Sequence, residues 1–227
     1  MTTSNRMISD MTSVLKNPGN AKGNQVLYTM NRDMYNLGAL RYDITEMPPL
    51  KIGEEFAKTL GHYHIGPDPE LYEILEGHAY FLFQKYEEDP AIIKEVYIVE
   101  ALAGEKVAIL PHFGHFLINV GNALLKTANW VSEVKYDYET VKKLRGACYY
   151  ILDKGQNIEF EKNPNYKFVP DLIKLRPKEA PEFGLEKKIP AANLRGDEKE
   201  GLKKLDWLLN PNKYLDSLKI DKFYKRI

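Results

Sequence analysis

Short apolar segments recur along the chain from about Val26 to Phe160. These runs are rich in Val, Ile, Tyr and Phe and lie between turn residues, which is typical of β-strands. Glycines, prolines and asparagines separate them at turns. The pattern therefore predicts an all-β sandwich or barrel of many short strands. The predicted strands are ALRYDITEM (39–47), AYFLFQKY (79–86), EVYIVEAL (95–102), EKVAIL (105–110), ALLKTANWV (123–131), ACYYILD (147–153) and NIEFEK (157–162).

The two ends of the chain differ from this β region. Residues 1–24 are polar, and only SDMTSVLK (9–16) could form a short helix there. Residues 166–227 are rich in lysine and contain several prolines. We therefore predict a β-barrel domain with an N-terminal arm at 1–165, and a partly helical C-terminal extension at 166–227 that packs on this domain.

One segment of the extension has a helical pattern, GDEKEGLKKLDWLLNPN (196–212). Asp197 can cap its first turn, with Glu200 three residues later, and Asn210-Pro211 would end it. The leucines at 202, 205, 208 and 209 would form an apolar stripe along one face. The sequence thus predicts one continuous helix that packs on the barrel.

Composition narrows the class of protein. The chain has 227 residues, 44% hydrophobic and 28% charged, as in ordinary globular proteins. Lys+Arg and Asp+Glu both number 32, so nothing indicates a nucleic-acid or membrane partner. The single cysteine, Cys148, allows no intrachain disulfide and no thiolate-rich zinc site. With no apolar run long enough to span a membrane, we expect a cytoplasmic protein.

The histidines indicate a metal site. His62 and His64 are two residues apart, so on a strand both imidazoles would point to one face. Glu70 follows a turn, and a hairpin would bring it back beside them. His115 comes from a later predicted strand. Three imidazoles and a carboxylate suit a divalent first-row metal ion, although a protein without metal, with structural histidines, stays the alternative.

The order and spacing of these residues resemble the two metal-binding motifs of the cupin superfamily. The first motif corresponds to GHYH (61–64) with Glu70 and Gly77, and the second to PHFGHFLIN (111–119). More closely, TLGHYH, ELYEILEG and FLFQ within residues 59–84 resemble the archaeal-type, metal-dependent cupin phosphoglucose isomerases. The segments RMISDM and GACYYILDKGQNIEFEKNP are also similar to that family, so the resemblance covers roughly residues 6–165.

This resemblance implies a double-stranded β-helix, the cupin or jelly-roll barrel, in a cytoplasmic homodimer that acts in glycolysis and gluconeogenesis. It implies one divalent metal ion per chain, with Fe²⁺ as the first candidate and Mn²⁺, Zn²⁺ or Ni²⁺ as alternatives. The implied metal ligands are His62, His64, Glu70 and His115. The implied sugar-phosphate contacts are Thr45, Thr59, Gly61 and Tyr72.

The implied reaction interconverts glucose 6-phosphate and fructose 6-phosphate. It proceeds by proton transfer between C1 and C2 through a cis-enediolate, with Glu70 as the base, or by a metal-assisted hydride shift. The family carries H-D-Y where this chain has Tyr136-Asp137-Tyr138, and a tyrosine where it has Trp130. Tyr136 retains a hydroxyl and, with Tyr138, is a further catalytic candidate. A cupin that binds a sugar phosphate without turnover, or an Fe²⁺ oxygenase, are the alternatives.

Overall fold

The fold consists mainly of β-strands, which confirms the predicted all-β class. The structure, a computed structural model, describes residues 1–227. The strands are β1 (Thr2–Met7), β2 (Val26–Leu37), β3 (Leu40–Met47), β4 (Lys51–Ile52), β5 (Glu55–Phe56), β6 (Tyr63–His64), β7 (Glu70–Glu76), β8 (His78–Tyr86), β9 (Ile93–Leu102), β10 (Lys106–Ile109), β11 (Gly114–Asn119), β12 (Leu125–Val131), β13 (Tyr136–Asp137), β14 (Tyr149–Asp153), β15 (Ile158–Lys162), β16 (Ile173–Pro177) and β17 (Tyr224–Arg226).

Helices are short and lie mostly in the last part of the chain. The α-helices are α1 (Glu139–Lys143), α2 (Glu198–Lys204), α3 (Asp206–Leu209) and α4 (Ile220–Phe223). The chain also forms five 3₁₀ helices, at Ile8–Val14, Pro18–Asn20, Pro181–Phe183, Ala191–Arg195 and Pro211–Lys213. The first of these takes the place of the helix predicted near the N-terminus. None of the helices has the length and apolar character that crossing a membrane requires.

Two main sheets form the barrel. One has the order β1-β2-β3-β12-β7-β10 and the other β11-β8-β9-β16-β17. Neighbouring strands pair antiparallel, except that β16 runs parallel to β9. A smaller sheet has the order β15-β14-β5-β4, and β13 pairs with β6. One hydrophobic cluster of 58 buried residues joins these parts, so the jelly-roll interpretation of the sequence is confirmed.

Strand β3 has two faces with different roles. Arg41, Asp43 and Thr45 line an internal cavity. Tyr42 points to the opposite face, as the two-residue period of a strand requires, and its ring centroid lies 4.9 Å from that of Trp130 on β12. This outer face is buried as well, because the C-terminal extension covers it: the Trp130 indole N–H donates to the Ala191 carbonyl at 2.8 Å.

A buried polar contact also attaches the extension to this outer face. Lys106 Nζ donates to the carbonyls of Glu186 and Ile189, at 2.5 and 2.6 Å. The Glu73 carboxylate lies 3.6 Å from Lys106 Nζ and accepts from the Ala191 N–H at 2.7 Å. Since a buried charge is costly without partners, these bonds fix where the extension can lie.

The helix predicted within 196–212 forms, but it is interrupted at Leu205. Asp197 caps the segment, accepting from the Glu200 N–H at 3.1 Å, α2 ends at Lys204, and α3 follows as a separate short helix. The break buries Trp207, whose indole N–H donates to the Phe183 carbonyl at 3.1 Å. Tertiary burial has therefore overridden the local helical pattern.

Gln84 is a polar centre inside the barrel. It is fully buried, and its Nε2 donates to the hydroxyls of Tyr63 and Tyr166 at 2.6 and 2.9 Å. Its Oε1 accepts from the Cys148 N–H at 2.7 Å. Cys148 is buried, as the sequence predicted. Tyr63 lies between His62 and His64 in the sequence. The hydrogen bond from Gln84 to Tyr63 therefore anchors the segment that carries these two histidines.

Candidate metal centre

Three histidines and one glutamate converge at one wall of the cavity. They are His62, His64, Glu70 and His115, and one ligand atom from each lies within 4.8 Å of all the others. Apart from His62, which is half-buried, the cluster is buried. The structure thus brings together the four residues that the resemblance implied as ligands, in a cluster that could hold a metal ion.

Different strands deliver the four side chains. His62 exchanges backbone hydrogen bonds with His115, and His64 in β6 pairs with Tyr136 in β13. Glu70 begins β7, which pairs with β12 and β10 and not with β6. The predicted hairpin is therefore wrong. Pro67 and Pro69 follow β6 and have no N–H to continue a ladder, so the chain crosses to the other sheet.

Several polar atoms of the cluster lack partners. Glu70 Oε2 and both ring nitrogens of His115 are buried without a hydrogen bond. Glu70 Oε2 lies 3.4 Å from His115 Nε2 and 3.6 Å from His64 Nε2. A buried polar atom left unpaired costs about 1–3 kcal/mol, and more if it is charged. A cation bound by Glu70 Oε2 and His115 Nε2 would satisfy both of these atoms, so the donor set fits a metal ion.

The protonation of the histidines favours metal binding. Burial, followed by the nearby charges of His115 and His64, holds the pKa of His62 well below its usual value. Burial also lowers the pKa of His64. His64 Nδ1 lies 2.7 Å from the Asp68 carbonyl oxygen and donates its proton there, which turns the lone pair of Nε2 toward the cluster. Neutral imidazoles are the form that binds metals.

Glu70 supplies the negative charge. Burial alone would raise the pKa of this carboxyl, but the neighbouring His115, His64 and Arg41 outweigh burial and lower it. Its other oxygen, Oε1, accepts from Asn129 Nδ2 at 2.6 Å. Asn129 was not predicted as a site residue. Thr127 and Asn129 are alternate polar positions on one face of β12, and this was the available signal.

The four predicted substrate contacts, Thr45, Thr59, Gly61 and Tyr72, line the cavity next to the cluster. Thr59 Oγ1 accepts from the Leu117 N–H at 3.0 Å, so its own proton is free to be donated. Gly61 has a φ of 76°, and a Cβ there would lie 2.1 Å from the Phe116 ring. Only glycine fits at this position, which keeps the backbone open to the cavity.

Tyr136 is held against the cluster by a chain of hydrogen bonds. Arg41 Nη2 donates to the Tyr136 hydroxyl at 2.7 Å, and Arg41 Nε donates to Asp43 Oδ2 at 2.9 Å. The Tyr136 ring centroid lies 4.5 Å from that of His62. Burial, with the charge of Glu70, raises the pKa of Tyr136 to about 12. Tyr136 is therefore protonated, and its own proton is free for a ligand.

Trp130, where the resemblance implied a family tyrosine, does not face this cavity. Its indole is fully buried on the outer face of the sheet and contacts the extension. Two further residues of the cavity were missed by the sequence analysis, Arg6 of β1 and Arg32 of β2. Both come from a polar part of the chain that only the β1–β2 pairing brings to the site.

The chain is similar in sequence to proteins of one known family. The family model described as "Glucose-6-phosphate isomerase (GPI)" matches residues 8–167. The glucose-6-phosphate isomerase of Thermococcus gammatolerans is 28% identical over 131 residues, which cover 57% of this chain and 66% of that protein. That of Pyrococcus abyssi is 28% identical over 132 residues, with the same coverage. The chain thus spans just under two thirds of the length of the curated relatives it matches.

Two solved structures align with about half of this chain. Oxalate oxidase in complex with the substrate analogue glycolate matches with a TM-score of 0.40 and 16% identity, over 50% of this chain and 55% of that one. The Schizosaccharomyces pombe Cnp3 cupin domain matches with a TM-score of 0.35 and 9% identity, over 48% of this chain and 67% of that one.

Proposed function

Because this chain belongs to the glucose-6-phosphate isomerase family, we propose that it interconverts glucose 6-phosphate and fructose 6-phosphate in the cavity beside the histidine cluster. The observation that carries this proposal is the buried quartet of three imidazoles and one carboxylate, with unpartnered donor atoms, at the wall of that cavity. An aldose–ketose isomerisation needs a base near C1 and C2 and a positive centre near their oxygens, and the quartet provides for both.

We propose that His62, His64, Glu70 and His115 hold one divalent ion, with Fe²⁺ preferred over Mn²⁺, Zn²⁺ and Ni²⁺. When bound, such an ion supplies Lewis-acid stabilisation of negative charge on the substrate oxygens. The hydroxyls of Thr45, Thr59 and Tyr72 and the N–H of Gly61 would donate to the phosphate. Burial raises the pKa of Tyr72 well above its usual value, so its hydroxyl keeps its proton for such a bond.

Glu70 Oε2 is the proposed base. Only two carboxylates line the cavity, Asp43 and Glu70. Both oxygens of Asp43 are already engaged, one by the Asp33 N–H and the other by Arg41. Glu70 Oε2 is the remaining carboxylate oxygen without a hydrogen bond. Because it is also the proposed ligand atom, it would have to leave the ion in order to take the proton from one carbon and return it to the other. A direct hydride shift is the competing route, and it would leave Glu70 without a proton to carry.

Tyr136 and Tyr138 would assist by donating to the oxygens on C1 and C2. Arg41 already fills one acceptor position of the Tyr136 hydroxyl, so the hydroxyl proton points elsewhere. Burial raises the pKa of Tyr138, which likewise keeps its proton. In this role Tyr136 stands where the family has histidine, and a hydrogen-bond donor is preserved at that position.

Replacing Tyr136 by phenylalanine is expected to lower kcat by about 2- to 10-fold. The substitution removes one neutral hydrogen bond, worth about 0.5–1.5 kcal/mol, and leaves the ring beside His62 in place. Steady-state kinetics with fructose 6-phosphate measure the effect. Tyr97→Phe, which removes a hydroxyl bonded to Glu95 outside the cavity, is the matched control. An unchanged kcat in Tyr136→Phe would remove this residue from the mechanism.

The proposed function is tested by measuring isomerisation of fructose 6-phosphate after chelation and after reconstitution with Fe²⁺, Mn²⁺, Zn²⁺ or Ni²⁺. We expect activity to disappear on chelation and to return with the native metal. Absence of turnover with every ion would refute the proposal. Binding of fructose 6-phosphate without turnover would instead identify a sugar-phosphate-binding protein.

Turnover in deuterated water separates the two routes. A base that exchanges its proton with solvent leaves deuterium in the product, whereas a direct hydride shift retains the substrate hydrogen.

On the resemblance alone, we also propose a cytoplasmic homodimer. Light scattering should then give a mass of twice 26.2 kDa.

A further inference from the structure

Two arginines that the proposed mechanism does not use face the cavity. Arg32 is half-buried, has no carboxylate within 4.0 Å, and makes its only side-chain hydrogen bond to Met30 Sδ at 3.4 Å. The Nε of Arg6 is buried without a partner. The nearest carboxylate oxygen to Arg6 is on Asp10, at 3.8 Å, and this oxygen already accepts from the Met7 N–H. Neither guanidinium is therefore neutralised by a close ion pair.

Both guanidiniums lie at the same end of the cavity. The β1–β2 register places Arg6 opposite Tyr28, and Arg32 follows Tyr28 on the same strand. Arg6, Arg32, Tyr28 and Tyr138 all line the same cavity. Tyr28 itself accepts from the Leu60 N–H at 3.3 Å, which ties this end of the cavity to the segment of Thr59 and Gly61.

The charges of the cavity do not balance without a ligand. Arg41 is paired with Asp43, and Glu70 faces the histidines. Arg6 and Arg32 remain as two positive charges in a recess that is partly shielded from water. Holding like charges together there is unfavourable unless an anion joins them. With three arginines against the two carboxylates of Asp43 and Glu70, the cavity has a surplus of positive charge, which an anion would neutralise.

We infer that Arg6 and Arg32 form an anion subsite that binds the phosphate group of the substrate and selects phosphorylated over neutral sugars. A phosphate monoester carries about −1.5 to −2 charges at pH 7, and guanidinium groups match its oxygens with paired hydrogen bonds. The subsite would act together with the hydroxyls of Thr45 and Thr59. The identity of the sugar rests on the proposed function, whereas the charge of the ligand does not.

Kinetics with fructose 6-phosphate test this assignment. Arg32→Met and Arg6→Met should each lower kcat/KM by about 10- to 100-fold, mostly through a higher KM, because each removes charged hydrogen bonds to the phosphate. Arg32→Lys, which keeps the charge but loses the paired geometry, should recover part of the loss. Arg226→Met, at an exposed position on β17, is the control and should match the wild type.

Calorimetric titration with inorganic phosphate separates this inference from the proposed function. Wild type and Arg226→Met should bind phosphate, and both cavity variants should bind it at least 10-fold more weakly, whether or not the protein isomerises sugars. Equal phosphate affinity in all four proteins, or no binding to wild type at millimolar phosphate, would overturn the subsite. Thermal melting of each variant checks that it is folded. If Arg6→Met unfolds because β1 detaches, Arg32→Met and Arg32→Lys still decide the question.

Discussion

Replacing Glu70 by glutamine is expected to lower kcat for fructose 6-phosphate by about 10²- to 10⁴-fold, the usual contribution of a positioned general base. Glutamine has the same shape, and its Oε1 can still accept from Asn129 Nδ2, so the side chain should keep its place. What changes is the second oxygen, which becomes an amide N–H₂ that can neither take a proton nor act as an anionic ligand. Steady-state kinetics and metal analysis of the same sample measure the two consequences separately.

Metal analysis decides between the two roles of Glu70. A variant that keeps its metal and loses turnover assigns the loss to the base, and a variant that loses both assigns Glu70 to the ligand set as well. Glu76→Gln, at the exposed end of the same strand, is the matched control and should retain wild-type kinetics. If Glu70→Gln retained kcat within about 3-fold with its metal in place, proton transfer by Glu70 would be disproved and the hydride shift favoured.

Trp130→Ala is expected to destabilise the folded protein by about 3–5 kcal/mol, the usual cost of removing a buried tryptophan. Trp130 is fully buried, contacts Tyr42, and donates to the Ala191 carbonyl of the extension. The substitution leaves a cavity between the sheet and the extension and an unpaired carbonyl. For a chain of this size, such a loss lowers Tm by roughly 6–20 °C. Differential scanning calorimetry measures the change.

A conservative substitution at the same position gives the comparison. Trp130→Phe keeps most of the apolar contact but loses the hydrogen bond to Ala191, so its melting temperature should lie between those of wild type and Trp130→Ala. Limited proteolysis should cut Trp130→Ala faster within residues 178–196 if the extension loosens first. A Trp130→Ala protein that melts within 1 °C of wild type would show that this contact does not hold the extension.

The strands were predictable where an apolar run ends at turn residues. The runs over 79–86 and 95–102 correspond closely to β8 and β9, because they are rich in β-branched and aromatic residues. Strands β16 and β17 were missed. They are short and carry lysine and arginine, and they exist because an edge of the barrel, at β9, is available to pair with them.

The candidate site was predictable to the extent that its residues share a local pattern. The spacing of His62, His64 and Glu70, combined with His115 on a later strand, indicated a cluster that could hold a metal ion. The sequence alone did not identify Arg6 and Arg32 as site residues, because an arginine on a strand usually faces solvent. Only the pairing of distant segments places them in the cavity, and no local pattern encodes that pairing.

Gln84 links segments that are far apart in sequence, so it should make them open together. Its amide binds Tyr63, Tyr166 and the backbone of Cys148 at once. The Cys148 N–H is protected from solvent hydrogen by this one side chain and not by a neighbouring strand. We therefore expect the Cys148 N–H to exchange with deuterated water only when the segment of His62 and His64 and the hairpin β14–β15 open together. In native-state hydrogen exchange, the histidine-bearing segment and the hairpin β14–β15 should then behave as one cooperative unit.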